Sequence, residues 1–176
     1  LDIDNNKDGF LDFTNGYHLN AINRWRFNSH KGWEGQAGVN VLTEERKGGQ
    51  LQSETVKNPY TLKWNTNRGE FWGKTGYVFP QAKYRSVGFQ GSALYHGQRS
   101  TFGSTMYDSE QKSGYFNSIY QSIIGTSTHK YRTGISFQYD SYREQVDSTE
   151  WRREEIVPGA FFEYTFTYFE KFAVVA

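Results

Sequence analysis

Apolar and polar side chains alternate along this chain in stretches of about ten residues. Residues 17–27 carry Leu19, Trp25 and Phe27 on one side of the alternation and Arg24 and Arg26 on the other. The alternation resumes over residues 33–43, after a polar turn. A period of two indicates β-strands that have one apolar side and one polar side.

The same alternation predicts an all-β fold, an antiparallel meander of about eight strands connected as hairpins. The predicted strands are residues 17–27, 33–43, 70–79, 86–96, 115–124, 131–140 and 155–165, with a last strand from 172 to 176. The predicted short connectors are 28–32, 80–85, 125–130 and 166–171. The predicted long connectors are 44–69, 97–114 and 141–154.

Strands of about 9–11 residues, with short turns at one end and long loops at the other, are typical of transmembrane β-barrels. We therefore predict that residues 17–176 form transmembrane barrel strands with short periplasmic turns and long extracellular loops. Residues 1–16 are predicted to be an extracellular loop. Aromatic residues gather near the short turns, where an interfacial belt would lie. They are Trp25, Phe27, Trp33, Tyr77, Phe79, Tyr131, Tyr164 and Phe166.

Composition fits this prediction without deciding it. The mean hydropathy of the 176 residues is −0.80, yet 18% of them are aromatic. A barrel with a hydrated inner face and aromatic girdles has this composition, and so does a secreted glycan-binding β-domain. The net charge of +1 gives no argument for nucleic-acid binding. The sequence contains no cysteine and no known catalytic motif, so we do not expect an enzyme.

The first residues contain a calcium-loop pattern. Asp4, Asn6 and Asp8 stand at alternating positions before Gly9, which matches the D-x-[DN]-x-[DN]-G spacing. We predict that their side-chain oxygens, the Phe10 carbonyl and Asp12 bind calcium, a cation that takes six to eight oxygen ligands. The bidentate Glu of an EF-hand loop is missing, and an Asx-rich turn without metal is the alternative.

One side of the predicted strands carries a polar set that would line the lumen of a barrel or, in a soluble protein, face solvent. It consists of Arg24, Arg26, Glu34, Gln36, Asn40, Glu70, Lys74, Gln90, Arg132, Gln138, Asp140 and Glu163.

Several segments resemble the barrel of TonB-dependent outer-membrane receptors. They are Asn23-Arg24-Trp25, Trp33-Glu34-Gly35-Gln36, Arg46-Lys47-Gly48-Gly49-Gln50 and Val157-Pro158-Gly159-Ala160-Phe161-Phe162-Glu163-Tyr164. The resemblance implies a place in the bacterial outer membrane, within a barrel of about 22 strands that an N-terminal plug fills. The chain would then be a segment of a longer polypeptide.

The resemblance also implies a function and partners. Such a receptor imports a scarce chelate of the siderophore, haem or cobalamin type, and TonB acts on it through the plug region. Membrane lipid and lipopolysaccharide would surround it, and a surface lipoprotein could assist it. Candidates for ligand binding are aromatic or imidazole side chains near the predicted outer loops. They are Tyr60, Trp64, Tyr95, His96 and Tyr107.

Two alternatives remain open from the sequence. The first is a small eight-stranded outer-membrane barrel with a structural or adhesion role. The second is a secreted, calcium-stabilised β-domain that binds glycans.

Overall fold

The computed structural model describes residues 3–29, 31–52, 56–168 and 172–175. They form one eight-stranded antiparallel sheet in which each strand pairs with the next along the chain. The strands are β1 (Asn15–Asn28), β2 (Trp33–Gly49), β3 (Thr61–Val78), β4 (Ser86–Phe102), β5 (Thr105–Ile124), β6 (Thr126–Val146), β7 (Thr149–Tyr168) and β8 (Phe172–Val175). The predicted all-β antiparallel meander is confirmed.

The sheet is open, because β1 and β8 lie at its two edges and do not pair with each other. β8 pairs with β7 only over Thr165–Tyr168. The described residues therefore form a single open sheet and not a closed barrel. We call the end with the β1–β2, β3–β4 and β5–β6 connections the lower end, and the opposite end the upper end.

The strands are much longer than predicted, and the prediction of long loops was wrong for most of those residues. Residues 97–102 extend β4, and residues 105–114 begin β5. Residues 141–146 and 149–154 likewise belong to β6 and β7. Of the three predicted long loops, only 50–60 remains a long connector, and its residues 53–55 lie outside the described part. The predicted short connector 125–130 is also mostly strand, since β6 begins at Thr126.

Two tight hairpins replace the expected loops at the upper end. β4 and β5 are joined by Gly103 and Ser104, and Gly103 has a φ of 63°. β6 and β7 are joined by Asp147 and Ser148, and Asp147 has a φ of 50°. A positive φ at the first loop residue is a property of the primed turns that favour two-residue hairpins. A Gly-Ser pair such as Gly103-Ser104 is a sequence signal for a two-residue hairpin.

The first residues fold back on the upper end of β2. Phe10 forms an antiparallel bridge with Gln50, and the Leu11 amide donates to the Gly49 carbonyl at 2.9 Å. The Gln50 amide in turn donates to the Tyr60 carbonyl at 2.7 Å. The calcium-loop pattern and the β2–β3 connector are thus held together beside the upper end of the sheet.

Strand register divides the side chains between two faces. The face that carries Trp25, Val39 and Phe71 is called the apolar face below. The face that carries Arg24, Asn40 and Glu70 is called the polar face. Residues opposite one another on paired strands share a face, so the register extends this assignment across all eight strands.

The sheet has no hydrophobic core. Among the described residues, no hydrophobic side chain is buried, and large ones such as Leu19 and Ile156 are each 63% exposed. A sheet with an apolar face must cover that face with something. The described part of the chain contains no helix that is long and apolar enough to cross a membrane.

Candidate functional site

The lower and middle parts of the apolar face form a belt that contains no charged side chain. Within the described residues, we define this apolar belt as the apolar-face positions of residues 17–27, 33–43, 65–77, 87–97, 114–122, 131–141 and 156–166. Its aliphatic and aromatic members point into open space, since Ile135 is 60% exposed and Phe162 64% exposed. The belt therefore presents a broad apolar surface that has no partner layer among the described residues.

Aromatic rings border this belt at the lower end. The Trp33 and Tyr77 ring centroids are 4.9 Å apart, as are those of Tyr77 and Phe79. On the same face, between β6 and β7, the Phe166 ring lies 5.2 Å from the His129 ring. Strand pairing thus brings together some of the aromatic residues that the sequence predicted near the short turns, with Trp33 opposite Tyr77 and Phe166 opposite His129.

Above the apolar belt, the same face changes to alternating charges, which we call the charged belt. Arg99 Nε lies 3.0 Å from Asp108 Oδ1, across the β4–β5 ladder. Lys112 Nζ lies 2.7 Å from Glu110 Oε1. Glu150 accepts from Arg152 Nε at 2.9 Å and also from Arg143 Nε. These are exposed ion pairs, which typically contribute only about 0–1 kcal/mol each.

Two carboxylates of the charged belt have lowered pKa values. Hydrogen bonding from Lys112 holds the pKa of Glu110 below its usual value. Hydrogen bonds from Arg152 and Arg143 hold the pKa of Glu150 below its usual value in the same way. Glu110 and Glu150 are therefore ionised and paired with cations at neutral pH.

The polar face carries all twelve residues that were predicted to line a lumen or face solvent. Strand register places every one of them on the side opposite the apolar belt. Three of the eight charged ones have an ion-pair partner among the described residues: Arg132 pairs with Glu163 at 3.2 Å, and Glu70 pairs with Arg68 at 3.3 Å. The prediction that these residues share one face is confirmed; whether that face lines a lumen stays a prediction.

A hydrogen-bonded network crosses β5 and β6 on the polar face. Ser113 Oγ donates to Asp140, and Gln138 Nε2 donates to the other oxygen of that carboxylate at 2.6 Å. One row higher, Gln111 Nε2 donates to the Tyr142 hydroxyl at 3.2 Å. The guanidinium carbon of Arg153 lies 4.6 Å from the centroid of the Tyr142 ring. Sequence reasoning missed the members other than Asp140 and Gln138, because their strand segments were read as loops.

The five candidate ligand residues do not form one cluster. Trp64 and Tyr107 lie opposite Ser100 on either side, at the upper end of the polar face. Ser100 between them is only 1% exposed. Tyr60 lies against the β4–β5 turn, because a Cβ atom added at Gly103 would come within 2.5 Å of the Tyr60 ring.

The remaining two candidates are neighbours in sequence but lie on opposite faces. Tyr95 is on the apolar face, and its hydroxyl is 3.4 Å from Glu110 Oε2 in the charged belt. His96 is on the polar face between Arg68 and Gln111. Its Nδ1 is buried and has no hydrogen-bond partner among the described residues. Tyr95 therefore cannot contact a ligand that binds His96 from the polar face.

Tyr107 has an altered acidity. Burial and the nearby Glu144 carboxylate raise its pKa, and a hydrogen bond with Ser109 acts in the opposite direction. Its hydroxyl donates to Glu144 Oε1 at 2.9 Å. Tyr107 therefore remains a neutral hydrogen-bonding group at physiological pH.

The calcium-loop pattern folds as a compact Asx-rich turn. The two Asp4 carboxylate oxygens accept from the amides of Asp8, at 3.2 Å, and Gly9, at 3.0 Å. Asp8 Oδ1 accepts from the Phe10 amide at 2.8 Å. Asp12 Oδ2 accepts from the Asn5 amide at 2.8 Å. Gly9 has a φ of 82°, which explains the glycine at this position.

The predicted calcium ligands are arranged as a hydrogen-bonded turn. Among the described residues, no three acidic or imidazole side chains converge as a metal-holding group. Backbone amides already satisfy Asp4, Asp8 and Asp12, as in the alternative that needs no metal. Calcium binding by Asp4, Asn6, Asp8, Phe10 and Asp12 stays a prediction. Calorimetry at millimolar calcium, compared with the Asp4→Ala/Asp8→Ala variant, tests it.

Comparisons with known protein families, with curated proteins and with solved structures found no match.

Proposed function

We propose that this chain forms part of the wall of a transmembrane β-barrel in the bacterial outer membrane, in a transporter of the TonB-dependent type. The observation that carries the proposal is the apolar belt: a charge-free, exposed surface that continues across seven long strands. On the same strands, the opposite face carries arginine, lysine and carboxylate side chains. A lipid-facing outside and a hydrated inside have this pattern.

The height of the belt supports the proposal. The belt covers about eleven residues in most strands, and strands rise about 3.4 Å per residue. Tilted by about 45°, such a segment spans about 25 Å, which is the height of the apolar band in outer-membrane barrels. The 20 residues of β5 and the 21 of β6 are longer than this band requires. Their upper parts, with the charged belt, would then project outside the membrane.

The open edges favour a barrel with more than eight strands. No described strand pairs with the outer edge of β1, although β1 crosses the whole apolar belt. Unpaired backbone groups in hydrocarbon cost several kcal/mol each, so lipid cannot cover such an edge. Further strands would supply the missing hydrogen bonds, as in the 22-stranded barrel that the sequence resemblance implies.

The transport activity follows from the sequence resemblance. The barrel would bind a scarce chelate of the siderophore, haem or cobalamin type from outside and release it inward. TonB would act through the plug region, and a surface lipoprotein could deliver the ligand. Lipopolysaccharide would surround the barrel, with its sugars and phosphates beside the charged belt. No bond of the ligand is broken, so no catalytic residue is assigned.

Single cysteines test the membrane position, because the sequence has no cysteine of its own. Phe162 and Glu154 are both exposed and lie on the same face of β7, one in the apolar belt and one above it. In intact outer membranes, a water-soluble maleimide should label Glu154→Cys and leave Phe162→Cys unlabelled. Both should react after denaturation. Equal labelling of both in the native state would show that the apolar belt faces water, and the proposal would fail.

Transport is tested separately in cells. Deleting the gene should abolish growth on one chelate under limitation, and the intact gene should restore it. Restoration should depend on TonB. Growth that survives without TonB would exclude a TonB-dependent transporter while leaving the membrane position intact. Unchanged growth on every chelate after the deletion would favour the small structural barrel.

A further inference from the structure

The arginines of the polar face fall into two groups. Arg46 pairs with Glu44 at 2.7 Å, Arg68 with Glu70 at 3.3 Å, and Arg132 and Arg153 each have a carboxylate partner at 3.2 Å. Arg24 and Arg26 in β1 differ, because no carboxylate of the described residues lies within 4.0 Å of either. Lys74 on β3 also has no ion-pair partner there.

Strand register brings these cations into one row. Arg26 and Lys74 lie opposite Gln36 on either side, and the row continues through Gln90 to Asn117. Adjacent strands are about 4.8 Å apart, so the Arg26 and Lys74 backbones are about 10 Å apart. Their long side chains can both reach a group above Gln36. Arg24 stands two residues farther along β1, about 7 Å away.

A depression lies beside this row. It has a volume of about 470 Å³ and is lined by Arg26, Gln36, Lys74, Gln90 and Asn117. Its floor is low because Gly76 and Gly88 are opposite one another and contribute no side chain. One carboxylate, Glu34, also lines it, so cations outnumber carboxylates.

The side chains around the depression are mainly hydrogen-bond donors. Guanidinium and ammonium groups donate only, and the amides of Gln36 and Gln90 add further N–H groups. Asn117 Oδ1 is buried without a partner, while Nδ2 contacts the Tyr115 hydroxyl at 3.1 Å. Turning this amide over lets Oδ1 accept from that hydroxyl and makes Nδ2 the donor at the buried position where Oδ1 has no partner.

We propose that the row Arg26–Gln36–Lys74, together with Gln90 and Asn117, is a binding site for the oxyanion group of a small carboxylate- or phosphate-bearing ligand. Charge-assisted hydrogen bonds from two cations hold the oxyanion, and the amides orient it. The site lies on the polar face near the lower end of the sheet. It needs only that this face is accessible to water, so it goes beyond the proposed transport function and does not depend on it.

Calorimetry on the full-length protein in detergent tests the site, with citrate as the carboxylate probe and inorganic phosphate as the phosphate probe. At low salt, at least one probe should bind with a millimolar or lower Kd. The Arg26→Ala/Lys74→Ala variant should weaken that binding by at least about tenfold. Glu34→Gln should strengthen it, because the substitution removes the one repelling carboxylate. The probe that binds identifies the oxyanion.

Lys63→Ala is the matched control. Lys63 likewise has no ion-pair partner among the described residues but lies on the apolar face, so its loss should leave Kd unchanged. Absence of binding for both probes would overturn the proposal, as would an equal loss in Lys63→Ala. Equal unfolding midpoints of the two variants would show that the double variant is folded. If the probe still binds but the maleimide labels Phe162→Cys in membranes, the membrane proposal fails and the oxyanion site stands.

Discussion

The two halves of the apolar face have the same backbone and opposite chemistry. Below, the apolar belt runs from the aromatic row to residues such as Val41 and Gly69 without a single charge. Above, the charged belt places Arg99, Lys112 and Arg143 beside carboxylates on the same strands. The hydrogen-bonded ladder continues through both halves without a break in register.

Under the proposed membrane position, this contrast corresponds to two solvents along one strand. A ladder of backbone hydrogen bonds is stable in lipid and in water alike, provided every edge is paired. An exposed ion pair is inexpensive in water, whereas a charge in hydrocarbon costs several kcal/mol. On the proposed function, the boundary near Thr43 and Ser141 would mark a change of environment, while the fold continues through it.

The largest expected effect comes from placing a charge inside the apolar belt. Ile135 is near the middle of the belt on β6, and its side chain is 60% exposed. Ile135→Arg should lower the free energy of unfolding by about 2–4 kcal/mol, the cost of arginine at the bilayer midplane of a barrel. Urea unfolding in lipid vesicles measures it.

The matched control lies ten residues farther along the same strand and face. Gln145 is in the charged belt, opposite Asp108 and Glu150. Gln145→Arg should change the free energy of unfolding by no more than about 0.5 kcal/mol. Equal costs for both variants would show that the two halves share one environment.

A medium effect is expected at the upper hairpin. Gly103 has a φ of 63°, and a Cβ atom there would come within 2.5 Å of the Tyr60 ring. Gly103→Val should destabilise the protein by at least about 1–2 kcal/mol, the cost of a left-handed conformation for an L-residue. Urea unfolding measures this as well.

Gly69→Val serves as the comparison for that hairpin. Gly69 lies in the apolar belt with no atom within 4 Å of an added Cβ, and its φ is not positive. We expect little loss of stability there. A larger loss at Gly69 than at Gly103 would contradict the assignment of the upper hairpin as the constrained element.

The smallest effect is a pH dependence confined to the charged belt. Glu110 and Glu150 have pKa values below the ordinary 4.5. A lowered pKa contributes stability above the unfolded value, and this stability is lost as the pH falls through the folded value. At pH values below about 4.5, the urea concentration at the unfolding midpoint should therefore decrease slightly. High salt should weaken this effect.

The Glu110→Gln/Glu150→Gln variant checks this dependence. It should show a smaller decrease of the midpoint on acidification than the unchanged protein does. An identical decrease in both proteins would mean that other carboxylates account for the acid response.

Much of the fold was readable from the chain because one face is apolar over the lower part of each strand. Residues 33–43 and 131–140 were assigned correctly as parts of strands for this reason. Where both faces are polar, as in 97–114, alternation disappears and the segment resembles a loop. Pairing with a neighbouring strand, which single-sequence periodicity cannot report, decides the structure there.

The candidate site was only partly readable for a related reason. Sequence placed Arg26, Gln36 and Lys74 on one face, but it could not show that strand pairing aligns them in one row. Nor could it show which cations find a carboxylate, because Arg132 and Arg26 look equivalent in the predicted polar set, yet only Arg132 has a carboxylate partner among the described residues. The separation of Tyr95 from His96, in contrast, follows directly from strand alternation.

The sequence by itself determined the period-two pattern and hence the β class, the strand order along the meander and the two unlike faces, because alternation is a local property of the chain. Only the tertiary structure decided the strand lengths, the tight upper hairpins, the open edges and the row of unpaired cations. These depend on which residues stand opposite one another on neighbouring strands, and that register is set by hydrogen bonds between segments far apart in the chain.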